Sequence, residues 1–135
     1  MDPHRLAASG AWGTVEWAIN AAGRLPAREF YESQLNDEQK AKTLTLFSRM
    51  AEHGTLGNRE KFRNLGDKAG KQGKVLWEFK SHQVRFVGDF RPGHRFMLAH
   101  GLIKKQDLLP PQDVAKAIRI LGECDDYELK HEAHR

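Results

Sequence analysis

The chain has 135 residues, 39% of them hydrophobic, a net charge of +4 and a single cysteine, Cys124. That length suits one domain with a modest core and leaves no room for a second. A lone cysteine excludes an intrachain disulfide. No window approaches the roughly 18 consecutive apolar residues of a bilayer span, and the N-terminus lacks a signal-peptide apolar region, so a cytoplasmic protein without a membrane partner is expected.

Residues 1–11 read as a flexible leader. Trp12 to Ile19, with Val15, Trp17 and Ile19 among small or polar neighbours, reads as a first strand. Pro26 opens a helix through Leu35, since its missing N–H is not needed in a first turn. Asn36 followed by Gln39 is a capping-box pattern; Leu44, Phe47 and Ala51 recur at helical spacing until Gly54 supplies a stop. From Leu56 to Gly73 periodicity gives way to glycines and basic residues, which reads as a loop able to wrap a phosphate backbone. Three strand-like segments follow, Lys74–Lys80, Val84–Val87 and Arg95–Lys105. A last helix begins at Pro110 and Pro111, with Val114, Ala117, Ile118 and Leu121 on one face. The domain is placed at 12–127, and 128–135 is read as a polar tail. Helices grouped apart from a strand meander imply an α+β fold.

Charge is unevenly distributed. Arg59 to Lys105 holds 12 Lys and Arg against 4 Asp and Glu, a local +8, so the remainder carries −4. Such a block favours a polyanionic partner through phosphate contacts. A tight turn at His82-Gln83 would set Lys80 opposite Arg85, and a turn at Arg91-Pro92-Gly93-His94 would set Arg85 opposite His100. Lys80, Arg85 and His100 then form one row, with Trp77, Phe79, Val84 and Phe86 on the opposite, core-facing side. Like charges placed opposite each other destabilise a sheet by roughly 0.2–1 kcal/mol per pair. Anion binding explains why such a row is kept; Glu78, two positions from Lys80, also offers one of the cations a salt bridge.

Metal-free RNA cleavage needs activation of a 2′-OH, stabilisation of a phosphorane and protonation of a leaving oxygen. Arg and Lys suit the second task, and His or a perturbed Lys the others. His100 is the acid/base candidate by position. Phosphate-cradling, dinucleotide and nucleophile-elbow motifs are absent, so no cofactor is expected. His131 and His134 lie three apart without a zinc-protease pattern; a solvated tail explains them, and no metal is expected. Cys124, near the end of the last helix, reads as a structural thiol.

Leu76-Trp77-Glu78-Phe79-Lys80, Val84-Arg85-Phe86-Val87, Leu98-Ala99-His100-Gly101-Leu102-Ile103-Lys104-Lys105 and the helix opened by Pro110 resemble the RelE/HigB branch of toxins from type II toxin-antitoxin modules, phage-derived relatives included. The likeness runs from about Trp12 to Tyr127. It implies a small microbial-RNase-like α+β fold, with an antiparallel-rich sheet of about four strands, two N-terminal helices and one C-terminal helix. It also implies an endoribonuclease that cuts mRNA on the ribosome and is neutralised by a helix-turn-helix antitoxin. Mapped onto this chain, Arg85 matches the arginine that contacts the scissile phosphate, and Lys80 is placed like a basic strand residue of the family. His100, Lys104 and Lys105 match the strand-end motif, while Tyr127 corresponds loosely to a C-terminal aromatic. Lys68, Lys71, Lys74, Arg95, Lys104 and Lys105 are then expected to grip messenger or ribosomal RNA. The chain departs from the pattern in its longer N-terminus, its extended basic loop from Gly66 to Gly73, and Gly88-Asp89 in place of apolar strand residues. A gyrase-directed toxin of the same fold and a phage-derived nucleic-acid-binding regulator remain the alternatives.

Overall fold

Local signals set the helices. In the computed structural model, which describes residues 3–66, 76–104 and 108–131, Pro26 opens α1 (Pro26–Gln34). The Asn36 side chain accepts the Gln39 N–H while the Gln39 side chain accepts the Asn36 N–H, starting α2 (Asp37–His53). Gly54, at φ 74°, ends α2 in the left-handed conformation a glycine adopts without strain. The third helix, α3, runs Pro111–His131.

The strands are β1 (Leu6–Ser9), β2 (Thr14–Trp17), β3 (Phe62–Asn64), β4 (Trp77–Ser81), β5 (Val84–Arg91) and β6 (Arg95–Ile103). They form one sheet in the order β1-β2-β6-β5-β4-β3. All described pairs are antiparallel except β2 with β6, so among the described residues the sheet is mixed and has six strands rather than about four. Two strands fall where the sequence suggests none. β1 occupies the expected leader; its Leu-Ala-Ala-Ser has no alternation, and it is a strand because β2 supplies its partner bonds. β3 lies in the expected basic loop, where Phe62 pairs with Phe79.

Each face of the sheet carries its own core. On one, Val15, Trp17, Phe79, Val84, Phe86, Phe96 and Leu98 pack under α1 and α2 with Phe47 and Met50. On the other, Ala18, Leu76, Val87, Met97 and Ala99 pack under Ala117, Ile120, Leu121 and Cys124 of α3. Phe79, Val84 and Phe86 are buried on the side the alternation indicates, with Trp77 packed beside them. α3 extends past Tyr127, against the expectation of a loose tail, because Glu128 is tied into the fold by Arg5 at 2.9 Å and by Arg95 at 2.5 Å. Among the described residues no helix is long and apolar enough to cross a membrane.

Candidate nucleic-acid interface

The β4–β5 turn is as tight as expected. His82 takes φ 55° and Lys80 pairs with Arg85. The β5–β6 register differs: Arg85 faces Leu102, and His100 faces Val87. Two features produce this shift. The hairpin loop makes Arg91 pair with Arg95, one residue later than the expected turn, and a bulge leaves Ala99 outside the ladder between Leu98 and His100. Each moves the register by one residue, so the sum preserves the face. Gly88 sits at this irregularity; a Cβ there would lie 1.9 Å from the Met97 carbonyl oxygen, which explains a glycine where an apolar strand residue is expected.

The result is a cluster rather than a row. Glu78 of β4 is fully buried. Its Oε1 receives Arg63 Nε of β3 at 3.0 Å and lies 3.9 Å from Arg85 Nε of β5. Its Oε2 lies 3.8 Å from Lys104 Nζ, at the end of β6. Lys80 stands beside them as the cross-strand partner of Arg85. Three cations, from β3, β5 and the residue after β6, thus converge on one described carboxylate, with Lys80 of β4 across from Arg85. Burial first, then the charges of Arg85, Arg63 and Lys80, push the Lys104 ammonium below its usual range against the pull of Glu78. A lysine in that state loses its proton more readily than a solvated one.

Arg85 is 5% exposed. Its Nη1 donates to the carbonyls of His82 and of Val84, the latter at 3.1 Å, which anchors the guanidinium over the turn. His100 is nearly as buried, and its Nε2 lies 2.7 Å from Asp113 Oδ1 in the first turn of α3. Burial depresses its pKa, with Lys116 reinforcing and Asp113 opposing. With Asp113 as acceptor, Nε2 carries the proton and Nδ1 is the basic atom. His100 therefore joins β6 to α3, beside the cation cluster rather than within its row.

Arg95 sits elsewhere. It binds Glu16 at 2.8 Å and Glu128 at 2.5 Å, and Glu16 foremost raises its pKa against the effect of burial, with Glu128 adding to the rise. The expected RNA contact is thus a structural ion pair at the other end of β6. Lys68, Lys71, Lys74, Lys105 and His134 lie outside the described residues. His131 stacks on Tyr127 with ring centroids 4.0 Å apart. Cys124 is buried, and burial pushes its thiol pKa up, as suits a structural thiol. Arg63 was legible only as part of a basic loop, not as a strand residue against Glu78, and Asp113 was missed because it has the ordinary character of a first-turn acid.

Residues 32–121, from α1 into α3, match the family described as phage-derived Gp49-like proteins (DUF891). The chain belongs to this family. No curated protein matches the chain. Every residue of the cluster, together with His100 and Asp113, falls inside the Gp49-like segment, whereas Arg5, Glu16 and Glu128 lie outside it.

Proposed function

We propose that this Gp49-like protein is the toxin of a type II toxin-antitoxin module, an endoribonuclease that cuts mRNA on the ribosome and so inhibits translation. The family is RelE-like and toxin-antitoxin-associated, which supports the toxin part of the reading. The observation that carries the chemistry is the convergence of Arg63, Arg85 and Lys104 on Glu78, with Lys80 paired across from Arg85. Such a group suits the charge that develops on a phosphorane, because its cations are held before the substrate arrives. In this reading Arg85 and Lys80 stabilise the scissile phosphate. Lys104, whose ammonium is destabilised, or His100 through Nδ1, moves the proton. A helix-turn-helix antitoxin and the ribosomal RNA surface are the partners.

Expression of the wild-type chain and of Arg85→Ala in a bacterial host, with RNA 5′ ends mapped alongside growth, tests this reading. New ends within translated messages are expected from the wild type and none from the variant. A folded Arg85→Ala protein that still arrests growth and cuts RNA would sink the assignment. The burial of Arg85 and His100 favours a second reading, a non-enzymatic binder of the same fold acting on gyrase or as a nucleic-acid-binding regulator. It gives arrest without new RNA ends, or no arrest.

A further inference from the structure

A cavity of about 230 Å³ opens between β3 and the start of α3, lined by Arg59, Arg63, Asn64, Leu65, Leu108, Leu109 and Val114. Arg63 belongs both to this lining and to the cation cluster, where its Nε meets Glu78 at 3.0 Å. We propose that the cavity is a nucleotide subsite, taking one base of a single-stranded RNA whose backbone runs onto the adjacent cluster. This inference rests on the RNA-binding part of the reading above and not on cleavage.

Three features support a base with its phosphate over other ligands. Leu65, Leu109 and Val114 offer an apolar wall, which an inorganic anion would not need and which the flat face of a base covers well. Arg59 and Arg63 set planar cationic groups at the same cavity, suited to a phosphate or to stacking on a base. Asn64 accepts the Gly66 N–H at 2.6 Å through its carbonyl oxygen, which leaves its NH₂ to donate to an acceptor on the base edge. The volume lies below the roughly 300–1,000 Å³ of sites that engulf a drug-sized ligand. It therefore fits one unit of a strand rather than a free dinucleotide. Leu108, 65% exposed, stands at the lining where a strand would pass.

The test uses fluorescence polarisation with short 2′-O-methyl RNA, which cannot be cleaved through its 2′ oxygen, against an abasic strand of equal length and charge. The full-length protein is expected to prefer the base-bearing strand by about tenfold, the range of one stacked base. Leu108→Glu and Val114→Trp should remove that preference, whereas Arg59→Ala should weaken both strands alike. Equal affinity for the two strands, no binding to either, or a preference that survives in folded Leu108→Glu overturns the subsite. Leu108→Glu decides the matter if Val114→Trp does not fold, because its side chain is exposed. Cleavage plays no part in this readout, so a base preference without new RNA ends in the cell removes the endoribonuclease and keeps the subsite. New ends without a base preference do the reverse.

Discussion

Glu78 decides much at the scale of single residues. A carboxylate buried among Arg63, Arg85 and Lys104 stabilises them collectively, and removing the central charge leaves buried cations repelling one another. Breaking a buried pair in this way costs about 3–5 kcal/mol. Glu78→Gln should therefore lower the urea midpoint markedly, and added inorganic phosphate should restore more stability to the variant than to the wild type; identical phosphate responses would argue against an anion-binding cluster. His100 makes a prediction in pH. Its folded pKa lies below the ordinary 6.5, so the unfolded chain binds more protons than the folded one once pH falls through that value. The contribution of the neutral, buried ring is complete above about 6.5 and declines below it. Urea melts from pH 8 to pH 5 should show a decline that His100→Gln reduces. The sequence made Arg85, Lys80 and Glu78 legible because strand alternation assigns a face. It hid Arg63, since nothing local marks three residues of a glycine-rich stretch as a strand.

Among the elements, α2 is the one written most completely in its own residues. Asn36, Gln39 and Gly54 satisfy backbone groups within a few positions of themselves, so no tertiary partner is needed to place the ends. Asn36→Ala should cost about 1 kcal/mol in chemical denaturation, the usual loss of an N-cap. No change in stability would mean that packing, not the cap, sets this helix start. The β5–β6 hairpin shows the opposite case. Pro92-Gly93 marks a turn, yet the pairing of Arg85 with Leu102 depends on the bulge at Ala99, which only the cross-strand geometry beside Gly88 creates. Because the loop and the bulge each add one residue, His100 stays on the face of Arg85 while changing partners. The cationic face was therefore legible, and its arrangement was not.

For the whole molecule, the N-terminal segment is integral. Arg5, 2% exposed, reaches Glu128 at 2.9 Å and the Trp17 carbonyl at 3.3 Å, tying the entry of β1 to the end of α3. Arg95 joins Glu128 to Glu16 in the same network. Arg5→Ala should destabilise the fold, by less than the roughly 3–5 kcal/mol of a broken buried pair because Arg95 still holds Glu128. A thermal melt unchanged by Arg5→Ala would show that the segment is dispensable. By itself the sequence determined the helices, the strand faces, the tight β4–β5 turn and the cationic character of the middle of the chain, because capping, alternation and charge act between near neighbours. Only the tertiary structure decided that β1 and β3 are strands, that Arg95 serves an internal ion pair, and that Arg63, Arg85 and Lys104 meet at Glu78. Those outcomes depend on partners far apart in the chain, 79 positions between Arg95 and Glu16, and on burial, which no local pattern encodes.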